Sequence, residues 1–130
     1  MSRPHHLLAV AALAAATCLG AGCSKPTPFH TTMVQAGKTF DQLQKLYEKK
    51  GPSGAVGYAV QVGKLLGSEP ITTSEYYKSS ETFRDLNGEA IDELGALENA
   101  LVAGSDAQAT GSIARVKDIC QKCHDQKWSK

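Results

Sequence analysis

Two cysteines and a histidine late in the chain have a spacing that could do chemistry. Cys120 and Cys123 are separated by two residues, and His124 follows at once. Two thiols three residues apart on a helical turn can add to the two vinyl groups at one edge of a porphyrin, and the adjacent imidazole can then bind the iron. This run therefore predicts one covalently attached haem (haem c), with thioether links to Cys120 and Cys123 and His124 as an axial iron ligand.

Other uses of this Cys-x-x-Cys pair receive less support from its surroundings. A thiol–disulfide exchange motif is expected near a strand–helix unit, whereas this pair follows helical patterns. A structural zinc site takes about four ligands. Apart from Cys120, Cys123 and His124, the only His and Cys residues after the leader are His30 and Cys23. In the oxidising compartment that an exported chain enters, an unused thiol pair would close into a disulfide.

Residues 1–22 have the layout of a secretory signal peptide. A polar start containing Arg3 precedes an uncharged apolar run over residues 7–16, which is too short to be a permanent membrane anchor. Gly20-Ala21-Gly22-Cys23 resembles a bacterial lipoprotein box, although Gly20 stands where a large aliphatic residue is usual. We expect a periplasmic protein, either tethered to the membrane through lipidated Cys23 or released as a soluble protein by cleavage near Ala21.

The composition behind the signal allows one small domain and gives no sign of nucleic-acid binding. The chain has 14 Lys and Arg and 13 Asp and Glu, and the predicted signal removes only Arg3 among them. A balanced charge of this kind offers no basic patch for a phosphate backbone. We expect residues 23–28 to be a tether and residues 29–130 to be the folded domain.

The first predicted helix begins after Thr27 and Pro28, which suit the N-cap and the first helical position. It ends near Lys49 and Lys50, where Gly51 and Pro52 act as a stop. Its apolar residues recur at helical spacing: Met33, Ala36, Phe40, Leu43 and Tyr47.

Three more helices are predicted behind the first. Ser53 is expected to cap a second helix, although a strand over residues 55–62 is a fair alternative because glycines are frequent there. Thr72 and Glu75 have the spacing of a capping box for a long third helix, which Gly104 ends. The apolar residues of this third helix form one stripe: Tyr76, Phe83, Leu86, Ala90, Leu94, Leu97 and Leu101.

The last predicted helix carries the chemical motif. Ser105 and Gln108 have capping-box spacing, and His124 falls close to the face of Cys120, four residues earlier. Ala109, Ile113 and Val116 share that face. Four helices with short connections and apolar stripes predict an all-α fold, an antiparallel four-helix bundle.

The chain resembles the class II c-type cytochromes, which comprise the cytochromes c′ and their low-spin relatives. The resemblance rests on Gly104-Ser105-Asp106-Ala107 and on residues 116–125, which include the haem motif, and the long helix over residues 76–101 agrees with it. It covers roughly residues 29–128. It implies a four-helix bundle with the haem on the last helix, and exposed helical faces that could form a homodimer.

The resemblance also implies what lies opposite His124 on the iron. Met33, with Gly37 four residues later, looks like the iron-ligand position of the methionine-bearing, low-spin branch of the family. His30 is a rival ligand.

Two positions depart from the family. Phe29 stands where an arginine often meets a haem propionate, and Trp128, preceded by Lys127, stands where a basic residue is common. The propionate partners are therefore open.

These residues predict an electron carrier rather than an enzyme. Iron held by His124 and Met33 would accept and donate single electrons, exchanging them with redox partner proteins, and no catalytic residue is required. The alternative is a five-coordinate, cytochrome c′-like protein that binds nitric oxide or carbon monoxide, with Met33 only packing beside the haem. Thiol–disulfide exchange through Cys120 and Cys123 is the third hypothesis.

Overall fold

The computed structural model describes residues 25–126, which form helices joined by short turns. The six helices in this range are α1 (Pro28–Lys50), α2 (Val56–Leu66), α3 (Glu69–Thr72), α4 (Glu75–Ser79), α5 (Glu81–Ala103) and α6 (Asp106–Asp125). No strand occurs in the described range, which confirms the all-α class, and α2 overturns the strand alternative for residues 55–62. The predicted signal peptide, Cys23, Lys127 and Trp128 lie outside the described residues.

Helix α1 begins and ends as its sequence predicts. The side-chain oxygen of Thr27 accepts a hydrogen bond of 3.1 Å from the backbone N–H of His30, and Pro28 occupies the first turn, where a missing N–H costs nothing. Gly51 follows with a positive φ of 71°, and its N–H donates to the carbonyl of Tyr47 at 2.9 Å. A left-handed glycine of this kind turns the chain away from the helix.

The prediction that Ser53 caps α2 is wrong. Residues Pro52–Gly54 form a separate 3-10 turn, in which the N–H of Ala55 donates to the carbonyl of Pro52 at 3.1 Å. Ala55 then stands at the N-cap position of α2 and is fully buried. No side chain caps α2.

The predicted third helix is interrupted, and its predicted cap is wrong. Thr72 is the last residue of α3, and Ser74 caps the short α4 by accepting from the N–H of Tyr77 at 3.2 Å. Ser80 has an extended backbone and caps α5 by accepting from the N–H of Phe83 at 3.1 Å. Serine is favoured at the N-cap because its hydroxyl oxygen accepts a hydrogen bond from a first-turn backbone N–H, which has no acceptor within the helix.

The end of α5 and the start of α6 agree with the sequence except for one detail. Gly104 ends α5 with a positive φ of 68°, as predicted. Ser105 is at the N-cap position of α6, but its side chain makes no capping hydrogen bond, so the predicted capping box with Gln108 is not formed.

One apolar core joins the longer helices. Helix α5 packs against α6 and α2, and α2 also packs against α1. Leu43, Leu97 and Ala109 are completely buried in this core. The C-terminal part of α1 reaches the start of α6, where the Tyr47 hydroxyl donates to the Asp106 carboxylate at 2.9 Å. None of the helices between residues 25 and 126 is long and apolar enough to cross a bilayer.

Candidate functional site

Cys120 and Cys123 lie on an unbroken helix and are free thiols. Both belong to α6, and both side chains are half-buried. Residues three apart on a helix have their Cβ atoms about 5–6 Å apart, whereas a disulfide brings them to about 3.5–4.5 Å. A direct disulfide would therefore distort α6. A wider group that bonds to both sulfur atoms would leave the helix intact.

Burial holds both thiols in their protonated form. Burial raises the pKa of Cys120 above its ordinary value of 9.0. Burial, and to a smaller extent the neighbouring Cys120, raises the pKa of Cys123 to about 11. Because the thiolate is the reactive species in disulfide exchange, neither cysteine is activated at neutral pH.

His124 is in the last turn of α6, next to Cys123. A basic side chain is favourable there because the last turn of a helix carries a partial negative charge. The residue is exposed as a whole, but its side chain lines two clefts beside α6, an inner one and an outer one.

The inner cleft lies between α6 and the core helices and encloses about 40 Å³. Its lining is almost entirely apolar: Met33, Leu66, Phe83, Leu86, Ala90, Ile119, Cys120 and Cys123, with Asn87 and His124 as the polar members. Cys123 lines this cleft and not the outer one. The inner cleft therefore offers an apolar environment beside both thiols.

The outer cleft lies between α1 and α6 and has a volume of about 340 Å³, within the roughly 300–1,000 Å³ of small-molecule sites. Its floor is apolar and includes Ala36, Phe40, Val62, Leu66 and Val116. Its polar lining residues are Asp41, Gln44, Lys117, Gln121 and His124.

Met33 lines both clefts, together with Leu66, Cys120 and His124. It comes from the first half of α1, whereas the thiols and His124 come from the end of α6. The fold thus brings together the four residues singled out in the described part of the chain. His30, the rival ligand, is exposed and lines neither cleft.

Asn87 is a site residue that the sequence reasoning missed. It is only 7% exposed, it lines the inner cleft, and its side-chain N–H donates to the Leu66 carbonyl at 3.1 Å. That carbonyl belongs to the last residue of α2 and has no partner further along its own helix. A signal was available, because Asn87 interrupts the apolar stripe of α5 between Phe83 and Ala90.

Phe29 belongs to an aromatic cluster next to the inner cleft. Its ring centroid lies 4.9 Å from that of Tyr76 and 5.8 Å from that of Phe83. Phe83 is buried and also lines the inner cleft. Phe29 therefore packs with other rings near the site and provides no charge there.

A third groove, between α5 and α6, is larger but differs in chemistry. Its volume is about 420 Å³, and charged side chains dominate its lining. Arg115 pairs with Glu93 across it at 2.9 Å, and Lys122 pairs with Asp118 at 2.8 Å. These mutual pairs leave a solvated, polar groove that does not suit an apolar macrocycle.

The residues at the two clefts fit the requirements of a covalently bound haem. The donor set contains two thiols for the vinyl groups, an imidazole on α6 and a thioether sulfur on α1. The inner walls are apolar, and the outer cleft opens between α1 and α6. Among the described residues, no group of three or more His, Cys, Asp and Glu side chains is arranged to hold a metal ion by itself.

Comparison with known proteins supplies no relative. No family model, no curated protein and no solved structure matches this chain.

Proposed function

We propose that this chain is a monohaem c-type cytochrome of the class II kind that carries single electrons. Its haem is bound covalently through Cys120 and Cys123, and its iron is held by His124 and Met33. The observation that carries the proposal is that Met33 and His124, from opposite ends of the described sequence, line the same two clefts beside the thiols.

Each of the four side chains has a distinct part in this proposal. Cys120 and Cys123 fix the ligand to α6, so that a small core does not have to retain it by packing alone. His124 would supply a nitrogen ligand and Met33 a sulfur ligand to the iron, a pair of ligands typical of electron carriers. When bound, the haem supplies an iron that exchanges one electron between its ferrous and ferric states.

The apolar walls of the inner cleft would affect the reduction potential of the haem iron. Leu66, Leu86 and Ile119 line it with apolar side chains. A low-polarity environment disfavours the more highly charged oxidation state of an iron centre, so these walls would raise the reduction potential of a haem bound here. Met33 acts in the same direction, because a thioether ligand also favours the ferrous form.

The arrangement of α1 and α6 supports the antiparallel bundle that the sequence predicts. Tyr47, late in α1, bonds to Asp106 at the start of α6, whereas Met33, early in α1, lines the clefts with His124 at the end of α6. The two helices therefore run in opposite directions along one another. Helices α1, α2, α5 and α6, with the haem between α1 and α6, would form the proposed domain.

The raised pKa values of Cys120 and Cys123 favour this proposal over thiol–disulfide exchange. An exchange protein needs an attacking thiol that is ionised near neutral pH. The pKa of Cys123, at about 11, lies far above that range. Thiols that form permanent thioether links have no such need.

A visible spectrum tests the proposal. The full chain is expressed in a host with haem-attachment machinery, purified, reduced, and measured with and without carbon monoxide. We expect a low-spin spectrum that carbon monoxide leaves unchanged, since Met33 already occupies the iron. A large shift on adding carbon monoxide would replace the electron carrier with the five-coordinate, gas-binding alternative, and absence of haem absorption would rule out both.

The Met33→Ala variant tests the ligand assignment itself. It is expected to lose the low-spin spectrum and to bind carbon monoxide. Val34→Ala is the matched control, because Val34 is adjacent on α1, 41% exposed and outside both clefts. An unaltered low-spin spectrum in Met33→Ala would show that another residue binds the iron.

Localisation and partners belong to the same proposal. We place the protein in the periplasm, tethered through lipidated Cys23 or soluble, exchanging electrons with redox partner proteins. The mass of the mature N-terminus separates the two forms, because acylation adds the mass of its fatty acids. Equilibrium sedimentation tests for the homodimer.

A further inference from the structure

Three side chains that can bind a metal ion lie where the inner and outer clefts meet. Met33, Cys120 and His124 line both clefts, and the apolar Leu66 is the other residue that lines both. Their donor atoms are a thioether sulfur, a thiol sulfur and an imidazole nitrogen. Cys123 lines the inner cleft alone and is therefore not part of this junction.

Cys120 and His124 have the spacing with which a single helix can chelate a metal ion. They are four residues apart on α6, so their side chains share a face, with Cβ atoms about 5–6 Å apart. The two histidines of a helical His-Glu-x-x-His zinc site use the same spacing. Cys123 is adjacent to His124 in sequence, and adjacent residues of a helix do not face each other. Met33 completes the set from α1.

This donor set favours copper in its Cu(I) state. Thiolate and thioether sulfur are soft ligands that select Cu(I), and imidazole also suits copper. A structural zinc ion takes about four ligands from Cys, His, Asp and Glu. The described residues contain no cluster of three or more such side chains that could hold a metal ion. The set at the junction contains only two of them, and its third member is a thioether, which is a ligand for Cu(I) and not for zinc.

The inner cleft also restricts the charge and the size of an ion. Its walls are almost entirely apolar, so a net charge there is costly. Cu(I) bound to one thiolate, one thioether and one neutral imidazole has no net charge, whereas a divalent ion on the same ligands would keep one positive charge. The cleft encloses about 40 Å³, and a water molecule takes about 30 Å³ in the liquid. A single ion therefore fits without the opening that a porphyrin requires.

We propose that the haem-free chain binds one Cu(I) ion through Met33, Cys120 and His124. On binding, the Cys120 thiol releases its proton to solvent and its sulfur bonds to the copper, which remains Cu(I), so no electron is transferred. The inference goes beyond the proposed function and does not depend on it. Because the same three side chains would serve the haem, a chain that holds copper cannot attach haem until the ion leaves.

Competition with a coloured Cu(I) chelator tests the site. The haem-free full chain carries Cys18→Ser and Cys23→Ser in every sample, so that these thiols cannot bind copper. It is reduced, kept without oxygen and mixed with Cu(I) and bathocuproine disulfonate, whose copper complex absorbs visible light. We expect each chain to withdraw one copper ion from the chelator, and the native mass to increase by one copper atom.

Variants of the three ligands should weaken binding. Loss of a residue that only supports a ligand costs about 10–100-fold in metal affinity, so loss of a ligand should cost at least about tenfold. Met33→Leu, Cys120→Ser and His124→Ala each remove one donor atom. Met33→Leu keeps nearly the same volume and is therefore the variant that disturbs the packing least. Circular dichroism checks that each variant is folded.

Two matched variants should keep the affinity. Cys123→Ser removes the other thiol of the pair, which a site made of both thiols would need as much as Cys120. His30→Ala removes a histidine that is exposed and lines neither cleft, and it is the control for His124→Ala.

The outcomes separate this proposal from the cytochrome proposal. Affinity lost in the three ligand variants and kept in Cys123→Ser and His30→Ala supports the copper site. Equal losses in Cys120→Ser and Cys123→Ser, with Met33→Leu unchanged, would overturn it in favour of a site made of two thiols. Failure of the folded chain to withdraw copper would also overturn it. The visible spectrum of the haem-loaded protein tests the cytochrome proposal independently of all these results.

Discussion

Cys123 provides a quantitative test of how the fold treats its thiols. Burial, together with the neighbouring Cys120, raises its pKa from 9.0 to about 11. At pH 8 a thiol of pKa 9.0 is ionised in about one molecule in ten, and one of pKa about 11 in about one in a thousand. Because iodoacetamide reacts with the thiolate, Cys123 in the folded, haem-free chain should be alkylated about a hundredfold more slowly than in urea.

The chain offers a convenient readout for this experiment. Trypsin cuts after Lys117, Lys122 and Lys127, so Cys120 and Cys123 fall on separate peptides whose masses report each alkylation. Cys120 should also react more slowly in the folded chain, since burial raises its pKa too. For Cys123 the folded-state rate should rise about tenfold per pH unit between pH 7 and 9, in step with the thiolate fraction.

Equal rates in the folded chain and in urea would refute this reasoning. They would mean that the end of α6 does not shield Cys123, or that its thiol is ionised more readily than its burial implies. A folded-state rate faster than the rate in urea would go further. It would indicate an activated thiol and would favour thiol–disulfide exchange over haem attachment.

Stability measurements provide the remaining predictions. The pKa of Cys123 is higher in the folded chain than in the unfolded chain. The haem-free chain should therefore keep its full stability below about pH 9 and lose part of it as the pH rises through about 11. The urea midpoint measures this change. Leu97→Ala removes a completely buried side chain and should cost about 2–5 kcal/mol in urea unfolding, whereas Val102→Ala, at a 71% exposed position, should cost less than about 0.5 kcal/mol. Gly104→Ala forces a side chain into a φ of 68° and should cost about 1–2 kcal/mol, while Gly95→Ala, inside α5 with open space around it, should stabilise by about 0.5–1 kcal/mol in the same assay. Equal effects of the two glycine variants would contradict this account of the end of α5.

The sequence predicts a helix end well where only one nearby residue can cap or terminate the helix. Thr27, Gly51 and Gly104 are such residues, because a cap beside proline or a left-handed glycine leaves the backbone few alternatives. Between residues 68 and 80 several Ser and Thr side chains compete to cap. Ser80 caps α5 by accepting from the N–H of the buried Phe83, which packs against Phe29, and the local sequence does not encode that distant contact.

Some residues of the candidate site can likewise be recognised from the local sequence, whereas others depend on the fold. Cys120, Cys123 and His124 are recognisable from local spacing alone, because their chemistry requires them to be neighbours in sequence. Met33 needed both an apolar helical face and the family resemblance. Lys117 and Asn87 could not be assigned to the site, because their positions in it depend on how α1, α5 and α6 lie side by side.

The hydrogen bond between Tyr47 and Asp106 holds α1 and α6 together at the end of the helices that is far from the site. Met33 lies fourteen residues before Tyr47 and Cys120 lies fourteen residues after Asp106. At a rise of 1.5 Å per residue, the bond therefore joins the two helices about 21 Å from the site. Over this length, a change of about 5° in the angle between the two helices would alter their separation at the site by about 2 Å, while the bond keeps their other ends together.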